Sequence, residues 1–219
     1  SLAIGEKVLG GNHPEVATVL NNFAELYREQ GQYAQAEPLY KRSLAIGEKV
    51  LGGNHPEVAT ALGNLAELYR TQGRYAQAEP LYKRSLAILE KALGTNHPDV
   101  ATVLNNFAEL YRVQGQYALA EPLYKHALAI QEKALGENHP DVAASLNNLA
   151  ALYSAQGQYA QAEPLYKRSL AICEKTLGAD HPNVARSLKN LAELYNKTDR
   201  AALAKPLEER TAAIRAIKR

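Results

Sequence analysis

The chain has 219 residues, 25 Lys and Arg against 23 Asp and Glu, and a 46% hydrophobic content. A net charge of +2 with both signs interspersed supplies no field that would draw in nucleic acid or an anionic membrane. No apolar run approaches the ~20 residues of a bilayer span, and the single Cys173 cannot form an internal disulfide, which fits a reducing, cytoplasmic setting.

Taken in chain order, residues 1–12 (SLAIGEKVLGGN) repeat letter for letter at 43–54, so the chain is expected to open inside a truncated repeat. His-Pro then recurs at His13, His55, His97, His139 and His181, always 42 residues apart. The units are 13–54, 55–96, 97–138, 139–180 and 181–219, the last ending in a basic stretch read as a cap.

Within the first unit, Val16, Leu20, Phe23, Ala24 and Tyr27 make one apolar stripe of a helix from Pro14 to about Gln30. Gly31 breaks the pattern, and a second stripe runs through Tyr33, Ala36, Leu39, Tyr40, Leu44 and Ile46 to Leu51. Gly52 is expected to close that helix in a left-handed conformation, and Pro56 suits the first position of the next. Pro38, Pro80, Pro122, Pro164 and Pro206 fall inside the second helices, where a small kink is expected rather than a break. A lone helical hairpin cannot cover both its apolar faces, so the units must stack on one another. The reading is all-α, a solenoid of stacked antiparallel helix pairs.

With Gly31 between the helices, Leu20, Phe23, Ala24, Tyr27, Ala36, Tyr40 and Ser43 fall on the signature positions of the tetratricopeptide repeat. The elements AEPLYKRSLAI, EKVLG, NHPEVA and LNNFAELY make the chain similar to the long, 42-residue repeat of kinesin light chains. The resemblance implies a right-handed superhelix whose concave groove holds a partner peptide or helix. It also implies a scaffold rather than an enzyme.

On that resemblance, the polar side of the first helices lines the groove. Its candidate contacts are Thr18, Asn21, Glu25 and Arg28 in the first unit, Thr60, Glu67 and Arg70 in the second, and Thr102, Asn105, Glu109 and Arg112 in the third, followed by Asn147, Arg186 and Lys189. An asparagine amide both donates and accepts, so it can read a peptide backbone. The row Asn22, Asn64, Asn106, Asn148 and Asn190 never varies and lies nearer the neighbouring repeat, so it is read as structural. Glu25, Glu67 and Glu109 precede Arg28, Arg70 and Arg112 by three residues and can pair along each helix. Ala151 in place of glutamate, with Arg186, Lys189 and Lys197, biases the C-terminal third toward an acidic partner.

The repeated histidines stand too far apart to share a zinc ion and read as helix starts. Cys173 aligns with Gly47, Leu89 and Gln131, a position that takes any residue, and reads as no catalytic thiol. Tyr27, Tyr33 and Tyr40 read as core, and no phosphate-cradling loop is present. No catalytic, cofactor or metal residues are expected, and the chain is expected to be a monomer or to self-associate weakly. The other reading is a sensory or regulatory array belonging to a larger signalling enzyme.

Overall fold

A computed structural model describes residues 10–217. The first nine residues of the expected partial repeat, and Lys218 and Arg219 of the basic tail, lie outside the described residues. Among these, ten helices follow one another with no strand: α1 (Pro14–Glu29), α2 (Tyr33–Leu51), α3 (Pro56–Thr71), α4 (Tyr75–Leu93), α5 (Pro98–Val113), α6 (Tyr117–Leu135), α7 (Pro140–Ala155), α8 (Tyr159–Leu177), α9 (Pro182–Lys197) and α10 (Ala201–Ile217). They form consecutive antiparallel pairs. The chain divides into two compact units, one reaching to Leu110 and the other starting at Tyr111.

Each first helix starts on its histidine. His13 Nδ1 accepts from Glu15 N at 3.2 Å, and His55, His139 and His181 do the same two residues ahead of each. The imidazole thus does the work usually given to Ser or Asp, a cap worth about 1 kcal/mol. Proline one residue later spares a backbone donor that the helix start could not satisfy.

The helix pairs turn on residues of positive φ. Gly31 has φ 72°, and Asp199, which replaces it in the last unit, keeps the turn at φ 56° because aspartate tolerates this region. Gly52 differs from the expected left-handed closure: with φ 88° and ψ 150° it lies in an extended region open essentially to glycine alone. The internal prolines do not end their helices. Pro38 is the sixth residue of α2, which continues to Leu51, so the ring costs one backbone bond and the helix survives.

In the first unit, Val16, Ala17 and Leu20 of α1 pack with Ile46 of α2, and α2 in turn packs on α3. Ser43 Oγ reaches across to Ala17 O at 2.7 Å, and Ser85 binds Ala59 O identically. In the second unit, Val142, Leu146, Ile172, Val184, Leu188 and Ile214 form one buried cluster, and Ser169 Oγ binds Ala143 O. Full burial of each large aliphatic side chain contributes about 1.5–3 kcal/mol.

Three expectations need correction. Phe23, expected on the inward stripe, is 39% exposed, whereas Phe107 at the same position is buried against Tyr82 of the preceding helix pair, ring centroids 5.7 Å apart. No described helix stands in front of α1 to cover Phe23. The tyrosines are not uniformly core: Tyr40, Tyr82 and Tyr124 are fully buried, but Tyr33 is only half-buried. Finally, Cys173 occupies a buried position, as do Gly47, Leu89 and Gln131, because this face of the second helix meets the next repeat. Its tolerance is bounded by the residue it meets: Gln131 accepts a hydrogen bond from Ser145, and Cys173 lies against Ser187.

Candidate functional site

The first helices turn one face to their own second helix and to the adjacent repeats, which leaves a polar strip outside. Thr18, Thr60 and Thr102 are exposed on it, and each hydroxyl donates back to the proline carbonyl four residues earlier, at 3.3–3.4 Å. These threonines keep their acceptor lone pairs for another molecule.

One turn on stand the asparagines. Asn64 Nδ2 donates to Asn21 Oδ1 at 3.1 Å, and Asn190 Nδ2 donates to Asn147 Oδ1 at 3.0 Å. Two members of the invariant row thus tie α3 to α1 and α9 to α7. Asn105 and Asn147 are buried, and Asn21 is half-buried.

The carboxylates and guanidiniums form a connected ladder in the first unit. Arg28 Nε donates to Glu25 Oε2 at 2.9 Å, with a second bond from Nη2, and Tyr40 Oη donates to the same Glu25 oxygen at 2.6 Å. Arg28 Nη1 also stands 4.0 Å from Glu67, whose carboxylate takes Arg70 and the Tyr82 hydroxyl, and Arg70 reaches Glu109 at 4.0 Å. The bonds from Arg28 outweigh desolvation and lower the Glu25 carboxyl below its usual range. Arg28 and Arg70 are raised by Glu25 and Glu67, and burial raises the Tyr40 and Tyr82 phenols. This ladder is half-buried and braced from below by tyrosine, more than a solvated row of ion pairs.

The second unit breaks the pattern. Ala151 leaves Tyr166 without a glutamate at that place, and burial pushes its phenol up to about 12. Arg112 lies near enough to Tyr166 to act on it electrostatically. In the last repeat Glu208 stands where the other repeats have tyrosine and accepts from Asn196 Nδ2 at 2.8 Å. Arg186 and Lys189 are both exposed beside a recess of about 430 Å³ that Ile214 and Arg215 also line, and Lys189 pairs with Glu193 at 3.3 Å. A second recess, of about 260 Å³, opens between α1 and α3, with Thr18, Asn21 and Thr60 at its sides and Gly47 and Ala61 among its lining.

A charged network missed by the sequence reading joins successive repeats on their other side. Arg74 stacks on the Tyr69 ring, 4.1 Å from its centroid, and donates to Glu37 of the previous repeat at 2.6 Å, while Tyr69 Oη and Lys41 bind the same carboxylate. Arg200, Tyr195, Glu163 and Lys167 repeat it. The signal was present: only these two copies replace the glutamine of this position (Gln32, Gln116, Gln158) with arginine. Arg74 foremost holds the Glu37 carboxyl at about 2, and Lys167 and then Arg200 hold Glu163 at about 2. Because these carboxyls titrate lower in the folded than in the unfolded chain, their stabilisation is complete above about 4.5 and is lost as pH falls toward 2. Glu37→Gln with Glu163→Gln is expected to lower the melting temperature at neutral pH and to flatten its decline in that acid window. Parallel melting curves of the two proteins across the window would refute the assignment.

Among the described residues no helix is long and apolar enough to cross a membrane. The profile of the Tetratricopeptide repeat matches residues 1–49, 19–91, 57–133, 99–175 and 141–216, overlapping along nearly the whole chain. The chain belongs to the tetratricopeptide repeat family. Such repeats generally serve as protein-interaction scaffolds and are typically non-enzymatic. No curated protein sequence matches the chain. Among solved structures, it is similar to a Podosopora anserina protein described as a kinesin light chain of nearly identical TPR-like repeats, at 32% identity over 94% of this chain and 98% of that one, TM-score 0.74. It is also similar to BtubC (BKLC) from P. vanneervenii, at 26% identity over 100% of this chain and 88% of that one, TM-score 0.81. A Rap protein complexed with Competence and Sporulation Factor shares the fold at 20% identity, TM-score 0.74, over 89% of this chain and 53% of that one.

Proposed function

We propose that this tetratricopeptide repeat chain is a scaffold that holds an extended partner segment along the polar strip of its first helices. The observation that carries the reading is the braced Glu25, Arg28, Glu67, Arg70 and Glu109 ladder beside exposed Thr18, Thr60 and Thr102. Its charges are already paired and its side chains already ordered, so a partner meets a preorganised surface and little entropy is lost in binding it. The ladder neutralises its own arginines, which favours a partner read through hydrogen bonds over one attracted by bulk charge. In the second unit, Arg186 and Lys189 of α9, with Arg215 of α10 beside the same recess, bias that face positive and suit an acidic segment of a partner.

Peptides selected on the wild-type chain from an unbiased display library test this. Thr18→Lys, Thr60→Lys and Thr102→Lys together change only exposed positions and should leave the fold intact. They are expected to weaken the selected peptides at least about tenfold, a loss of ~1.4 kcal/mol. Unchanged affinity for every selected peptide would move the binding surface elsewhere.

A further inference from the structure

In two places an asparagine of one repeat is bound by the asparagine 43 residues later: Asn21 by Asn64 and Asn147 by Asn190. Counting back the same distance from Asn106 gives Gly63, which has no side chain. Asn106 is half-buried and makes no such bond among the described residues. Gly63 is half-buried too, and a Cβ placed on it would meet its nearest neighbour, Ser85 Oγ, at 3.7 Å, an ordinary contact. The place filled by a carboxamide elsewhere thus carries none between α3 and α5, on the strip proposed above for the partner, and a Cβ at Gly63 would meet no clash.

We propose that Gly63 and Asn106 form a seat for the side-chain carboxamide of an asparagine in the partner segment, with Asn106 Nδ2 donating to the incoming oxygen. The inference rests on the groove reading and adds one residue of specificity to it. The occupant follows from the molecule itself, because the equivalent place is filled twice by a carboxamide one methylene from its backbone. Aspartate matches that shape but brings a negative charge one helical turn from Glu67 on α3 and beside the turn of α5 that carries Glu109. Alanine leaves the Asn106 donor without an acceptor. Asn106, a member of the row read from the sequence as structural, thus has an amide that a partner can reach, and the cause is a glycine in the neighbouring repeat.

The test is titration of the ¹⁵N-labelled chain with capped Ala-Asn-Ala, Ala-Asp-Ala and Ala-Ala-Ala, reading the side-chain amide resonances of Asn106. The expected result is a saturable shift with the asparagine peptide, at least several-fold weaker with the other two, and abolished in Gly63→Asn. That variant should fold at least as well as the wild type, since Asn21, Asn105 and Asn147 hold the same position. An Asn106 resonance unmoved by the asparagine peptide, an equal response to all three peptides, or a response that survives Gly63→Asn would overturn the seat. Shifts along Thr60 and Thr102 with Asn106 unmoved would sink the seat and leave the groove reading standing. Library-selected peptides that ignore the three Thr→Lys changes would instead sink the groove reading.

Discussion

Replacing Tyr82 by alanine is expected to destabilise the first unit by about 3–5 kcal/mol, the cost of removing a fully buried aromatic ring whose space cannot close. Tyr82 is wholly shielded from solvent, its ring is stacked on Phe107 of the next repeat, and its hydroxyl donates to Glu67 at 2.9 Å. The single side chain therefore joins three things: the core of its own hairpin, the junction with α5 and the charged ladder on the outer strip. Tyr82→Phe separates them. It keeps the ring and the stack but removes one donor from a carboxylate that retains Arg70, so its expected cost is about 1 kcal/mol. Urea denaturation of both variants checks the division. A loss below about 1 kcal/mol for alanine would show that the ring is not a core element.

Leu188→Ala is expected to be the most damaging change in the second unit, at about 2–5 kcal/mol. Leu188 is fully buried among Val142, Leu146, Ile172, Cys173, Val184 and Ile214. In a stack where each helix pair touches only its neighbours, the damage should remain local. Amide hydrogen exchange should show α9 and α10 losing protection while α1 to α4 keep theirs. Uniform acceleration across the chain would mean that the repeats unfold as one body, against this account.

The helix pairs were legible in the sequence because their determinants are local. Spacing of three and four around Leu20 and Ala24, a glycine at 31, and a proline at 56 each constrain only their own turn of chain. The histidine's part was half legible: helix start was readable, but acceptance of the backbone N–H by Nδ1 required the geometry. The outer strip was legible as a polar face, and the pairing of Glu25 with Arg28 followed from their spacing. What escaped was every relation between unlike positions of successive repeats. Comparing residues 42 apart reveals rows, yet Asn64 binds Asn21 at a separation of 43, Arg74 binds Glu37 at 37, and Ser145 binds Gln131 at 14. A row-by-row reading treats such partners as independent, and so Cys173 looked unconstrained when its neighbour in the next repeat constrains it.

The buried position shared by Gly47, Leu89, Gln131 and Cys173 has a consequence for how such a chain can change by duplication. Fourteen residues further on stand Ala61, Val103, Ser145 and Ser187, so each junction carries its own matched set: small with small, aliphatic with aliphatic, polar with polar. Near-identical coding units invite recombination that deletes one of them. Loss of residues 97–138 would bring Leu89 against Ser145 and remove the Gln131 acceptor of its hydroxyl, a hydrogen bond worth about 0.5–1.5 kcal/mol. The junction residues therefore number the copies, and selection on them would preserve the order of the array.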